Sequence, residues 1–272
     1  MKATYSAGFV GCGNMGGALA RAALRAKEGG RIAVYDPAAD KLAPLCERGA
    51  VAMPDAVSLA QNAHLIFLGV KPAALTQVLA TMARGLRDNT DAVIVSMAAA
   101  VSIATIQEAL TASGLSCPVI RIMPNTPAAV GQGMTVYATS PTVTASDEAD
   151  FLALMQPSGE VLRIEERHID AAGCVSGCGP AFAYIFAEAL ADGGVACGLS
   201  RTDASRLAAQ MLAGAAEMLK TYGHPADLKD AVCSPGGTTI EGVKALEDGG
   251  LRAAAMQAVK AAYERTLQLK SK

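Results

Sequence analysis

The chain has 272 residues, 51% of them apolar, and a formal charge of −2. That length suits one large domain or two medium ones, with enough apolar residues for a sizeable core. The charges form no basic cluster of the kind a nucleic-acid surface requires, so no nucleic-acid partner is expected.

Through the first half, short apolar runs alternate with helical stretches. The pattern predicts strands over residues 5–10, 31–35, 64–70, 92–96 and 118–122. Between them it predicts helices over residues 14–28, 40–48, 72–83 and 102–110. Strand and helix in alternation imply an α/β architecture built on a doubly wound parallel sheet. After about Ile164 the pattern is helical to the end. Breaks are expected at Gly193-Gly194, Gly223-His224-Pro225, Ser234-Pro235-Gly236-Gly237 and Gly249-Gly250. Ser200, with Asp203 three residues on, reads as the N-cap of a helix over residues 201–221. The expected organisation is a first domain over residues 1–165 and an all-helical second domain over 166–272. The second is short and rich in small residues such as Ala208, Ala209 and Ala213, so it is expected to complete its core against another copy. A compact monomeric bundle is the alternative.

Seven cysteines are scattered, odd in number and without a CxxC pair, which points to a reducing compartment such as the cytoplasm. Cys174 and Cys178 could share a helix face. With no second ligand pair nearby in sequence they read as small buried apolar groups, and no metal is expected. Met1 and Lys2 run straight into a strand-like stretch, with no targeting segment expected. The longest apolar run, residues 92–106, is interrupted by Ser96, Ser102 and Thr105. It is too short to span a bilayer comfortably, so no membrane partner is expected.

Gly11-Cys12-Gly13-Asn14-Met15-Gly16 is a GxGxxG motif at the first strand–helix junction, the context in which such a motif binds a dinucleotide. Gly11 permits the tight turn, Gly13 lets a pyrophosphate approach the backbone, and Gly16 lets the helix pack on the strand. The first domain is therefore expected to be Rossmann-like, with NADPH or NADH as cofactor. Asp36 ends the second strand. An acid there either holds the adenosine ribose hydroxyls, favouring NADH, or serves as a turn residue before Pro37. Lys41 could offset its charge. Val70-Lys71-Pro72 and Ser96-Met97-Ala98 also fall at strand ends where a cofactor runs, although Lys71 could be an ordinary exposed lysine.

In the second half, Ser234-Pro235-Gly236-Gly237 is a turn, and Thr238 with Glu241 reads as a capping box opening a helix. A helix amino end with hydroxyls at Thr238 and Thr239 beside it is also a carboxylate site. His64, His168 and His224 read as structural.

The segment LKDAVCSPGGTTIEGVKALE, residues 228–247, resembles the signature of the pyrroline-5-carboxylate reductases. GCGNMGGA, VKP, RIMPNTPAAVGQGMT and VSGCGPAF agree with it, in order along nearly the whole chain. The resemblance implies reduction of 1-pyrroline-5-carboxylate, a cyclic imino acid, to L-proline by hydride transfer from NADPH or NADH. It also implies a homo-oligomer built through interlocking C-terminal helices: a homodimer, in some relatives a homodecamer. The family's substrate loop maps onto Ser234, Gly237, Thr238 and Thr239, and Thr239 matches the threonine that hydrogen-bonds the ring nitrogen, hence the catalytic candidate. Asp36 departs from the smaller, uncharged residue common there, which puts the usual NADPH preference in question. A protonated imine is already electron-poor, so no strong acid is required beyond positioning and a hydrogen bond. Two rival readings are a 3-hydroxyacid dehydrogenase-like oxidoreductase and a non-catalytic dinucleotide sensor. The first needs a base, and the comparable stretch, residues 173–184, holds no lysine. The second could lose the residue 234–239 loop, which is intact here.

Overall fold

The structure, a computed structural model, describes residues 3–26 and 31–270. Met1, Lys2 and the last two residues of the expected first helix, Lys27 and Glu28, lie outside the described residues. Compact packing divides the chain into two units, residues 1–178 with 262–272, and residues 179–261.

The first unit is an eight-stranded sheet in the order β3-β2-β1-β4-β5-β6-β7-β8. Its strands are β1 (Tyr5–Val10), β2 (Ile32–Tyr35), β3 (Val51–Ala52), β4 (Ala63–Leu68), β5 (Val93–Ser96), β6 (Val119–Met123), β7 (Gly133–Thr139) and β8 (Gly159–Arg163). Helices connect them: α1 (Asn14–Ala23), α2 (Ala43–Cys46), α3 (Ala56–Asn62), α4 (Leu75–Asp88), α5 (Ile103–Ala112) and α6 (Ala145–Met155), with α7 (Ile169–Ser176) after the last strand. All pairs are parallel except β6 with β7. The expectation of a purely parallel sheet is corrected at that point. Only a short 3-10 turn, Thr126–Val130, joins β6 to β7, too little chain for a parallel crossover.

Both faces of the sheet are covered, which is why β4 and β5 read as continuous apolar runs. Ile66, Leu68 and Ile94 face Leu59, Leu79, Met82 and Ile106 from α3, α4 and α5. Phe9, Leu65 and Phe67 face Leu19 of α1 and Phe151 of α6. Phe9 stacks on Phe67 with centroids 4.5 Å apart, and Phe67 stacks in turn near Phe151 at 6.4 Å.

Helix starts follow side-chain chemistry. The Asp55 carboxylate accepts the Ser58 amide at 2.7 Å to open α3, and that bond leads in holding its carboxyl below the usual range. Ser102 caps α5, and a capping box between Thr144 and Asp147 opens α6. Two expected helices are shorter or later than the pattern implies. The first ends at Ala23, where Arg25 and Ala26 donate back three residues to tighten the turn. The second is a 3-10 turn, Ala39–Lys41, followed by α2 alone.

A buried charge network ties the later helices to the sheet. Arg121 of β6 is 1% exposed, and its guanidinium donates to Asp170 Oδ1 of α7 at 2.6 Å and reaches Glu166 Oε1 at 3.4 Å. The Lys270 ammonium lies 2.5 Å from the other Asp170 oxygen, and Glu166 Oε1 also accepts the Ile103 amide at 2.6 Å. One cluster thus fixes β6, the start of α5, α7 and the final helical turn.

The second unit contains α8 (Gly179–Ala196), α9 (Arg201–Tyr222), α10 (Pro225–Ala231), α11 (Thr238–Asp248) and the first part of α12 (Leu251–Lys270). Ser200 caps α9 by accepting the Asp203 amide, as the sequence implies. The expected break at Gly193-Gly194 is corrected: α8 runs through both glycines and ends before Gly198, whose φ of 98° makes the turn. An interior glycine weakens a helix without breaking it. A Cβ on Gly194 would meet Ala204 and Leu199 at 3.2 Å, so its absence lets α9 approach. The buried core of this unit is only Ala191, Ala204 and Ala208 with Val195 beside them.

Removing one partner of a buried pair strands the other charge, at a cost of about 3–5 kcal/mol. Asp170→Ala is therefore expected to lower stability by about that much in denaturant unfolding followed by circular dichroism. Arg167→Ala, which breaks only an exposed pair with Glu165, should cost under about 1 kcal/mol. Equal effects would contradict the assignment.

Candidate active site

The cofactor candidates gather at the carboxyl ends of adjacent strands. Gly11, Cys12 and Gly13 turn from β1 into α1, whose first residues are Asn14, Met15 and Gly16. Asp36 follows β2, Val70-Lys71-Pro72 follows β4, and Met97-Ala98 follows β5. β2, β1, β4 and β5 are neighbours in the sheet, so these segments share one edge.

Backbone packing forces the shape of this edge. Gly11 has φ of 89°. A Cβ on either Gly16 or Gly69 would collide with the Gly11 carbonyl, so turn, helix and the end of β4 close on each other at backbone contact. Gly13 differs: a Cβ there would meet nothing within 4 Å. It is the N-cap of α1, no side chain caps that end, and no acid sits in the first turn. Uncapped amides, the positive end of the helix dipole and an open approach at Gly13 fit a pyrophosphate. The residues present therefore fit a dinucleotide on packing grounds alone.

The neighbouring groups are less exposed than the sequence implies. Asp36 is buried, with its Oδ2 accepting the Cys12 amide at 2.8 Å and its Oδ1 accepting the Ala38 amide at 2.9 Å. The Cys12 thiol is pushed up to about 12, first by burial and then by the charge of Asp36. Ala98 is buried, and its amide donates to Ser96 Oγ at 3.3 Å. Met97 is half-buried, while Lys71 and Pro72 are exposed.

The substrate candidates lie in the second unit, on the turn from α10 to α11. Gly236 has φ of 70°, and Gly237 donates its amide to the Ser234 carbonyl at 3.0 Å. A Cβ on Gly237 would run into Ser234 Oγ, so the turn is tight. The expected capping box of Thr238 with Glu241 does not form. Gly237 is the N-cap and Thr238 is already the first helical residue, which displaces Glu241 from the reciprocal position. The amino end of α11 is left without a side-chain cap, and Ser234, Thr238 and Thr239 are exposed. Their hydroxyls have no partner among the described residues.

Asn125 and Gly69 escaped the residue-by-residue reading. Asn125 Oδ1 accepts the Met134 amide at 2.8 Å and its Nδ2 donates to the Ser176 carbonyl at 2.9 Å, pinning the loop after β6 to β7 and α7. The only signal was an Asn inside Pro-Asn-Thr-Pro. Gly69 precedes the Val70-Lys71-Pro72 motif, where its neighbour could have flagged it. His64 hydrogen-bonds the Asp91 carbonyl at 2.7 Å at the opposite, amino edge of the sheet, apart from the cofactor candidates.

Comparison with known proteins adds the following. Residues 166–269 match the model described as pyrroline-5-carboxylate reductase dimerisation, and residues 6–100 match the one described as NADP oxidoreductase coenzyme F420-dependent. A pyrroline-5-carboxylate reductase of Escherichia coli (strain K12) is 42% identical over 96% of this chain and 97% of its own. The crystal structure of Plasmodium falciparum pyrroline carboxylate reductase with NADP bound covers 99% of this chain and 100% of its own, with a TM-score of 0.85 at 30% identity. A Coxiella burnetii pyrroline-5-carboxylate reductase covers 98% of each chain, with a TM-score of 0.88 at 30% identity.

Two substitutions separate folding from binding. Gly13→Ala should leave the melting temperature within about 2 °C, since the methyl enters open space, yet weaken NADPH at least about tenfold by blocking the phosphate approach. Gly16→Ala should lower the melting temperature outright, because the methyl meets a carbonyl. Calorimetry with cofactor titration checks both. Separately, Cys12 should resist iodoacetamide at pH 8.5, since its thiolate forms only near pH 12. Rapid labelling, read by peptide mass spectrometry, would contradict this.

Proposed function

This chain belongs to the pyrroline-5-carboxylate reductase family and is an NAD(P)-dependent oxidoreductase reducing 1-pyrroline-5-carboxylate to L-proline, and we propose that it grips the imino acid at the amino end of α11. The observation that carries this reading is the uncapped, exposed start of α11, with two unpartnered hydroxyls beside it.

The substrate has a carboxylate and a ring nitrogen close together. The carboxylate is taken by the amides following Gly237, which lie at the positive end of the helix dipole. Ser234 and Thr238 supply hydroxyls around it. Thr239 orients the ring nitrogen by a hydrogen bond and passes a proton between that nitrogen and solvent. A bound nicotinamide cofactor would supply the hydride for the imine carbon, and the nitrogen that Thr239 orients would take up the C=N electron pair. The chain needs no strong acid, because the protonated imine is already electrophilic. Gly11, Cys12, Gly13, Asn14, Met15 and Gly16 hold the pyrophosphate. Asp36 stands at the adenosine end, and Val70, Lys71, Pro72, Met97 and Ala98 flank the path toward the nicotinamide. We keep the division of labour at residues 1–165 for the cofactor and 166–272 for substrate and assembly.

The working form is a homodimer through the C-terminal helices, and any larger assembly, up to a decamer, would be built from it. In the second unit α10 and α11 bury no residue, while Tyr184, Ile185, Leu207, Met211, Tyr222 and Met256 are exposed. So much uncovered apolar surface marks an interface. The stretch Glu166–Ala196 is also long and apolar enough to cross a bilayer by length and composition. The dimerisation model over the same residues favours a second copy as the cover. Seven free cysteines support a reducing compartment, the cytoplasm.

The test follows NADPH absorbance on adding 1-pyrroline-5-carboxylate. Thr239→Ala should lower kcat/KM about tenfold to a hundredfold without abolishing turnover, as loss of one hydrogen bond in the transition state implies. Unchanged efficiency would refute the role of Thr239. No absorbance loss in the unmodified protein, with NADPH binding retained, would point to a sensor instead. Sedimentation equilibrium should give at least twice the mass of one chain.

A further inference from the structure

The corner after β2 carries an inference about cofactor choice, which rests on the reading that the Gly11–Gly16 turn holds a dinucleotide. An acid at the end of this strand ordinarily presents both oxygens to the ribose diol and repels a 2′-phosphate. Here the carboxylate faces inward. The Gly11 amide donates to the Tyr35 carbonyl at 2.9 Å, extending the pairing of β1 with β2 past the strand ends. The next amide, that of Cys12, donates to Asp36 Oδ2 at 2.8 Å. The other oxygen takes the Ala38 amide at 2.9 Å, and the residue is only 8% exposed. Each oxygen thus accepts a backbone amide, one from either side of the turn. The neighbouring Cys12 thiol feels that charge, which helps to keep it protonated.

Beside that buried carboxylate the corner shows a cation to solvent, with one exposed acid on the same turn. Lys41 closes the 3-10 turn Ala39–Lys41, and its Nζ lies 3.9 Å from Asp36 Oδ1 with the side chain 46% exposed. Asp40, the other acid of this turn, is exposed as well. An ammonium on a flexible stem, half in water and anchored beside a buried carboxylate, suits a phosphomonoester, to which it binds as a compact point charge.

We propose that Lys41 selects for the 2′-phosphate of NADPH, and that Asp36 is a positioning residue for the β1–α1 turn rather than a reader of the ribose. NADPH then binds more tightly than NADH despite the acid at this position. NADH offers only a hydroxyl where the phosphate would meet Lys41 and gains nothing from it. Loss of Asp36 frees the Cys12 amide and loosens a turn that both cofactors use.

The test is equilibrium titration of NADPH and NADH by nicotinamide fluorescence, with melting temperatures of the unliganded proteins. Lys41→Ala should weaken NADPH about tenfold, as expected for loss of one charge-assisted contact, and leave NADH within about twofold. Asp36→Asn, which keeps one acceptor and so remains foldable, should weaken both cofactors together and lower the melting temperature. The proposal is overturned if Lys41→Ala weakens both equally or neither. It is equally overturned if Asp36→Asn tightens NADPH alone, or if the unmodified protein prefers NADH. An unmodified protein that binds neither cofactor would overturn the dinucleotide reading, and this proposal with it.

Discussion

The structure depends on one carbonyl oxygen, that of Gly11. Gly16 and Gly69 both press on it so closely that neither position can carry a Cβ. This contact joins the end of β1, the first turn of α1 and the end of β4 in a single knot. It also aims the uncapped amino end of α1 past the sheet edge, with open space at Gly13. Everything assigned to the cofactor follows from that placement. The segments after β2, β4 and β5, proposed to flank the cofactor, lie on the same edge because of the strand order. A wider turn would still be a turn, but it would not deliver unpaired amides to a pyrophosphate.

The second unit works by a different logic. Its helices are joined by tight turns and meet through alanine and glycine, with almost no core of their own. Such a unit has little to hold it together until its apolar surface is covered. The match of residues 166–269 to a dimerisation model fits a second copy as the proposed cover, and the start of α11 stands exposed in the single chain.

The sheet centre was legible because burial on both faces leaves uninterrupted apolar runs; β1 matches its expected bounds, and β4 and β5 differ only at their ends. No strand or helix was assigned between Asn125 and Arg163, although β7 is rich in β-branched and aromatic residues and α6 carries a capping box. A strand that turns antiparallel after a short 3-10 turn breaks the alternation on which the reading relied. Local chemistry misled at Thr238, where a motif for a capping box occurs one residue too late to act as one. It misled again at Gly193-Gly194, where glycine serves packing rather than a turn. What the side chains of the linear motifs do is tertiary. Asp36 meets Cys12 across two strands, and Arg121 finds Asp170 on a helix forty-nine positions later. Neither pairing leaves a mark in local sequence.

The central proposal is that the imino acid is held through its carboxylate at the start of α11. A crystal structure of the assembled protein with oxidised cofactor and L-proline addresses it most directly. The account predicts the proline carboxylate on the amides following Gly237, its nitrogen beside the Thr239 hydroxyl, and its ring against the nicotinamide carbon that carries the hydride. Proline bound away from residues 234–239, or out of reach of that carbon, would contradict it.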